Sequence, residues 1–307
     1  MTKGSVRRVR LEACAKVNLF LEIVRRRPDG YHELKTLFQE ISLGDTLEVA
    51  ASPSATPVDP EKGIETFRCV GAALPTDNGN LVSRAIRAFR GDGPWDRRYR
   101  LVLRKKIPVG AGLGGGSSDA AAALRACWHL DGNGRRAFPW ERYVPLAARL
   151  GADVPFFLRG GLAEASGIGD RLTLLRPPSR RLWFVLIFPR VFVSTKWVYQ
   201  RLRFPLTKHR SWRRLKTHIL RGRPAREWAP LLFNRLEEVV VPRVPAVRKA
   251  KEALRQAGCL TSLMSGSGSA VFGPVESEKH GKDVLGRVRS GAWDAWLVSS
   301  RCRQESR

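Results

Sequence analysis

The chain has 307 residues, a formal net charge of +27 and 43% hydrophobic residues, which is long and apolar enough for one large or two modest domains with a real core. No apolar run approaches the ~20 residues of a membrane span, and the basic start, Met1 to Arg7, is followed by no signal-peptide core. The five cysteines (14, 69, 127, 259 and 302) contain no C-x-x-C pair and the five histidines show no metal-ligand spacing, so the expectation is free thiols in the cytoplasm, with neither a disulfide framework nor a metal site built from protein ligands.

Hydrophobic alternation predicts strands at about 8–14, 17–24, 34–41 and 46–51. The stretch 51–64, rich in Pro, Ser and Ala, reads as a surface loop. Asn80 supplies a cap for a helix over about 80–90, a strand follows at about 99–105, and helices follow at about 117–130 and 140–150. The Pro- and Arg-rich segment 176–181 marks a boundary and divides the chain into domains 1–175 and 176–307. Beyond it come a strand at about 182–188, helices near 194–203, 226–240 and 244–257, and strands near 260–264, 269–273 and 293–299. Strands and helices mix without strict β-α-β alternation and no internal repeat is visible, so the class is α+β with two lobes.

The segment Pro108, Val109, Gly110, Ala111, Gly112, Leu113, Gly114, Gly115, Gly116, Ser117, Ser118 opens an alanine-rich run that favours helix. Few side chains there let backbone N–H groups converge on an anion at a helix N-terminus, with Ser117 or Ser118 as the cap. This is a phosphate-binding pattern, yet two better-known versions fail. No lysine lies between Lys106 and Glu141, which excludes the G-x-x-x-x-G-K-[ST] loop. Gly110, Gly112 and Gly115 satisfy G-x-G-x-x-G, but Asp131 falls in a helix-to-loop segment where the dinucleotide fold needs a strand carrying an acid.

The glycine segment resembles the second motif of the kinase superfamily named after galactokinase, homoserine kinase, mevalonate kinase and phosphomevalonate kinase. Further blocks sharpen the resemblance: Ala15-Lys16-Val17-Asn18-Leu19-Phe20-Leu21, Arg27-Pro28-Asp29-Gly30-Tyr31-His32-Glu33-Leu34, Leu150-Gly151-Ala152-Asp153-Val154-Pro155, and Met264-Ser265-Gly266-Ser267-Gly268-Ser269. Together, in this order, they are similar to the 4-diphosphocytidyl-2-C-methyl-D-erythritol kinase family of the non-mevalonate isoprenoid pathway. A weaker block, Phe233-Asn234-Arg235-Leu236-Glu237, resembles a family helix. The resemblance implies an N-terminal ribosomal-protein-S5-like domain, a C-terminal ferredoxin-like domain and an active site between them. It implies ATP with Mg²⁺, the phosphates on residues 108–118, and Lys16 and Asp153 as the catalytic pair. Asn18, Tyr31, His32, Thr195, Tyr199, Gly266, Ser267 and Gly268 fall at substrate positions, with Trp197 competing with Tyr199 for the second aromatic place. Ser117 or Ser118 would offer magnesium an oxygen. The expected reaction phosphorylates the tertiary hydroxyl at carbon two of the cytidine-diphosphate-linked substrate, in a monomer or weak homodimer.

Taken singly, these residues have plainer readings. Asp153 before Val154-Pro155 suits a turn, Lys16 a solvated strand, and Tyr31-His32 the start of a strand. Two other functions compete. Homoserine or mevalonate kinases share the glycine loop but have no cytosine to grip with R-P-D-G-Y-H. The Trp- and Arg-rich stretch 201–226 suits RNA or an anionic membrane, although a solvated basic helix accounts for it more simply.

Overall fold

The computed structural model describes residues 5–133, 136–203 and 211–301. The first half contributes β1 (Arg7–Arg26), β2 (His32–Val58), β3 (Ile64–Val70), α1 (Leu81–Arg90), β4 (Trp95–Arg104), α2 (Gly115–Trp128), α3 (Trp140–Leu150), α4 (Val154–Arg159), β5 (Leu162–Ser166) and β6 (Arg171–Leu175). The second contributes β7 (Trp183–Phe188), α5 (Thr195–Gln200), α6 (Trp212–Leu220), α7 (Ala225–Trp228), β8 (Phe233–Asn234), α8 (Glu237–Arg243), α9 (Pro245–Gln256), β9 (Leu263–Met264), β10 (Val271–Val275), α10 (Glu278–Val288) and β11 (Asp294–Ser299).

A seven-stranded mixed sheet runs β3-β4-β2-β1-β8, with β5 pairing β2 and β6. A four-stranded sheet runs β11-β7-β10-β9. The architecture is α+β. Alanines of α2 pack with α1 against Leu47, Val49, Leu101 and Leu103 of the large sheet. One face of β7 (Val185, Ile187) packs under α9 and α10, while its other face (Phe184, Leu186) meets Ala15, Val17 and Leu19 of β1. β1 is therefore buried on both sides from Ala13 to Ile23, which explains its nearly continuous apolar run. β8 reaches back from the second half and pairs with Phe20 and Leu21. Among the described residues no helix is long and apolar enough to cross a membrane.

Several expectations need correction. The strands at 8–14 and 17–24 are one strand with a register shift between Cys14 and Lys16. The strands at 34–41 and 46–51 likewise belong to a single β2. The expected loop at 51–64 is largely strand: Ala51, Ser52 and Pro53 pair with Tyr99, Arg98 and Arg97, so sheet pairing overrides a turn-like composition. Gly63 is required there, because a Cβ would lie 2.0 Å from the Trp95 ring. The helix at 226–240 breaks into α7, a 3-10 turn, β8 and α8, because Asn234 turns its side chain onto backbone groups and Pro230 interrupts the run. The helix near 194–203 ends at Gln200. Part of the basic stretch 201–226 (residues 204–210) and Cys302 lie outside the described residues. Trp212 is 6% exposed and packs edge-on to Phe20 at 5.0 Å. It is a core residue, and its ring is not available at the surface.

Candidate active site

The glycine segment forms a nest. Gly110, Gly112 and Gly114 have φ of +67°, +77° and +73°, alternating with Ala111 and Leu113, a pattern that turns successive N–H groups toward one point. α2 then begins at Gly115 with Gly114 in the cap position and no side-chain cap bond. This corrects the expected serine cap: Ser117 and Ser118 lie inside the first turn. Ser118 is buried with its hydroxyl unpartnered among the described residues, while Ser117 lines the cleft. The first intrahelical bond runs from Ser118 N–H to the Gly114 carbonyl at 2.9 Å. The N–H groups of Gly115, Gly116 and Ser117 precede it, where a helix dipole favours negative charge.

The missing side chains also let two loops interlock. A Cβ on Gly112 would lie 2.1 Å from the Ser265 carbonyl oxygen, and one on Gly114 would lie 2.7 Å from the Phe157 ring. Ser265 Oγ donates to the Gly112 carbonyl at 3.0 Å, and Ala270 N–H donates to Ala111 at 3.1 Å. Leu113 accepts from Lys16 N–H at 2.9 Å, which fastens the nest to β1.

Lys16 is 4% exposed, and a buried ammonium needs partners. Its Nζ donates to Asn18 Oδ1 at 2.7 Å, lies 3.6 Å from Asp153 Oδ2 and sits 5.0 Å from the Phe38 ring centroid. Asn18 Nδ2 donates to Thr36 Oγ1 at 2.8 Å, which donates to the Phe20 carbonyl at 2.7 Å. Asp153 precedes α4 and makes no cap bond. Pro155 removes one of the two first-turn N–H groups a capping carboxylate can use, and the Asp153 carboxylate instead faces Lys16.

A cleft of about 670 Å³ unites these groups. Of the expected residues, Lys16, Asn18, Tyr31, His32, Gly110, Gly112, Gly114, Ser117, Asp153, Thr195, Tyr199, Gly266 and Ser267 all line it. Pro108, Val109, Ala111, Leu113, Gly115, Gly116 and Ser118 are outside its lining, as are Gly268, whose missing Cβ space is filled by Met264, and Trp197, whose ring stacks under Arg201 at 4.6 Å. His32 and Tyr199 stand 5.0 Å apart at 41°, and Tyr31 is 62% exposed at the rim. Burial, followed by the Arg26 charge, lowers the His32 imidazole below its ordinary range and keeps it neutral near pH 7. Burial raises the Tyr199 phenol, with Asp153 adding to the effect. Thr195 and Ser267 join their hydroxyls across the cleft at 2.7 Å.

Sequence reasoning missed six contributing residues. Phe192 is 74% exposed in the cleft against Gly110; its only signal was an apolar residue just past a strand. Thr36 and Phe38 follow the block ending at Leu34 on β2, where neither residue type signals a role in a site. Beneath the nest, Lys105 Nζ bonds Asp45 and, at 2.7 Å, Asp119. Asp45 also accepts from Ile107 N–H at 2.9 Å. A buried cation between two acids has no local sequence pattern.

One aromatic wall, one amide nest and an ammonium–carboxylate pair in a single cleft suit phosphoryl transfer to a base-bearing small molecule. Comparisons with known proteins agree. Residues 80–161 match the GHMP kinases N terminal domain and residues 217–293 the GHMP kinases C terminal domain. The 4-diphosphocytidyl-2-C-methyl-D-erythritol kinase of Citrifermentans bemidjiense is 41% identical, covering 95% of this chain and 99% of that protein. A solved structure of 4-(cytidine 5'-diphospho)-2C-methyl-D-erythritol kinase matches with a TM-score of 0.75 at 35% identity, covering 95% of this chain and 99% of the other. The homoserine kinase of Cytophaga hutchinsonii matches at TM-score 0.70, 96% and 94% coverage, but 21% identity, a likeness of fold alone. With the glycine nest, the R-P-D-G-Y-H turn and the full-length identity in agreement, the chain belongs to the 4-diphosphocytidyl-2-C-methyl-D-erythritol kinase family.

Proposed function

We propose that this enzyme transfers the γ-phosphoryl group of ATP to the tertiary hydroxyl at carbon two of 4-diphosphocytidyl-2-C-methyl-D-erythritol, giving the 2-phosphate and ADP. The observation that carries the reading is the Lys16–Asp153 pair at 3.6 Å in the cleft that also holds the glycine nest and the His32–Tyr199 rings. Little covalent work falls to the protein in phosphoryl transfer, so positioning and charge dominate. Asp153 orients the acceptor hydroxyl and receives its proton as the new O–P bond forms and the bond to the ADP oxygen breaks. Lys16, held by Asn18, offsets charge at the transferred group. The N–H groups of residues 110–117 hold the phosphates. Tyr31, His32 and Tyr199 grip the cytosine, with Thr195 and Ser267 bounding the polar side. The uncapped first turn of α2 fits a metal-bound triphosphate, with Ser117 supplying an oxygen to Mg²⁺, which neutralises phosphate charge when bound. The site lies between lobes 1–175 and 176–307, joined where β8 pairs with β1.

The test incubates purified protein with ATP, Mg²⁺ and the cytidine-diphosphate substrate and follows the singly phosphorylated product by mass spectrometry. Turnover of homoserine or mevalonate in its place would refute the reading. Tyr31→Ala should raise KM for the cytidine substrate and leave that for ATP nearly unchanged; equal effects on both would contradict the assigned pocket.

A further inference from the structure

The net charge of +27 exceeds what a cleft for small anions uses, and part of the excess is organised on the large sheet. Strand alternation turns Val49, Leu101, Leu103 and Phe67 toward α1 and α2, and so turns Arg8, Arg10, Arg68, Arg98, Arg100 and Arg104 to the opposite face. None of these six lines the cleft. Across the sheet, Arg8 stands opposite Ala50, Ala50 opposite Arg100, and Arg100 opposite Thr66. The small residues between the arginines leave a groove of about 580 Å³ lined by Arg8, Arg10 and Arg100, with Glu48 among them and Val6 and Val102 beside them.

Acids do not balance this face. Glu48 lies 3.9 Å from Arg10 and 3.6 Å from Arg104, and Glu65 lies 3.8 Å from Arg98 and 2.8 Å from Arg100. Two glutamates thus serve four arginines, while Arg8 and Arg68 are exposed and have no ion-pair partner among the described residues. Glu12, at the edge, is taken by Arg301 at 2.7 Å. Guanidinium groups in a row repel one another and also repel a second copy of so basic a chain. They match phosphate oxygens in bidentate pairs. Among the described residues the face carries no aromatic ring, so it offers neither a platform for stacking bases nor a wedge for entering a bilayer.

We infer that this sheet face is a binding surface for the phosphate backbone of a nucleic acid, reading charge and shape and not sequence. The inference is independent of the kinase reading, because none of its residues belongs to the cleft. The test measures binding of a fluorescent 20-base-pair RNA duplex to the full chain by anisotropy across a salt series. A net excess of four positive charges, six arginines over two glutamates, meeting four phosphates gives a log–log salt slope of about −3.6, so affinity should fall about twelvefold for each doubling of salt. The triple variant Arg8→Ser, Arg68→Ser, Arg100→Ser should bind at least about tenfold more weakly and with a slope reduced by about 2.7. A charge-matched control on exposed α6 and its end, Arg213→Ser, Arg214→Ser, Arg221→Ser, should stay within about twofold of the parent. The single variant Arg8→Glu gives a second reading on a minimally altered sheet, and kinase turnover of all variants checks their folding. Scrambling the duplex sequence should change nothing. Equal weakening by the α6 control, absence of a salt slope, or binding to anionic phosphatidylglycerol vesicles with none to the duplex would each overturn the proposal.

Discussion

Asp153 owes its reach to what leaves it alone. At the N-terminus of α4 a carboxylate ordinarily folds back on a first-turn N–H, but Pro155 offers none and Asp153 makes no cap bond. Asp153→Asn should therefore lower kcat by about 10²–10⁴ while costing about 0.5–3 kcal/mol of stability, since it takes the carboxylate away from buried Lys16; steady-state rates and thermal melts on one preparation check both halves. Asp119 makes the opposite case. Burial pushes its carboxyl up to about 7, against the pull of Lys105 and with Asp45 adding to the rise. Protonated in the fold but ionised in the unfolded chain between pH 4 and 7, it lends stability at acid pH that is lost as pH rises through 7. In urea unfolding, the advantage of the parent over Asp119→Asn should shrink by up to about 1.4 kcal/mol per pH unit from pH 5 to 7 and level off above. A difference independent of pH would show that Asp119 stays ionised.

At the scale of elements, the nest and the loop between β9 and β10 act as one piece. Gly112 cannot take a side chain, being at φ +77° with the Ser265 carbonyl 2.1 Å from its Cβ position. Gly116 has helical backbone and only Leu81 Cδ1 at 3.5 Å. Gly112→Ala should destabilise the fold by about 1–3 kcal/mol and impair ATP use. Gly116→Ala should be neutral or raise stability by up to about 1 kcal/mol. Differential scanning calorimetry of the two variants decides it; equal losses would mean that the segment is uniformly intolerant. The register shift beside Cys14 belongs to the same logic, since it re-aims β1 at the point where Lys16 must face α4.

Across the whole molecule, Glu22 on β1 and Arg235 after β8 form a buried ion pair at 2.8 Å, with side chains 8% and 6% exposed. Removing one partner of such a pair strands a charge in low dielectric. Arg235→Met should cost about 3–5 kcal/mol, and adding Glu22→Gln should recover part of it, as measured by denaturant midpoints. A loss under 1 kcal/mol would show that β8 is held by backbone pairing alone. Trp212 shows why charge runs mislead at this scale: with arginines beside it in sequence, its ring is nevertheless taken into the core by Phe20 and covered by Lys35 at 4.5 Å.

The chain by itself determined the α+β class and the glycine nest, because these depend on residue type and local spacing, alternating apolar residues in one case and missing Cβ atoms in the other; Lys16, Asp153, Tyr31 and His32 stood out only through the family resemblance of their motif blocks. Only the tertiary structure decided that Tyr199 and not Trp197 faces His32 in the cleft, that residues 51–53 and 58 pair with β4, that Asp45, Lys105 and Asp119 lie beneath the nest, and that six arginines share one sheet face. Each of those depends on strand register or on contacts between distant segments. Such contacts form because burial on folding must be satisfied globally, and local sequence carries no record of which distant partner satisfies it.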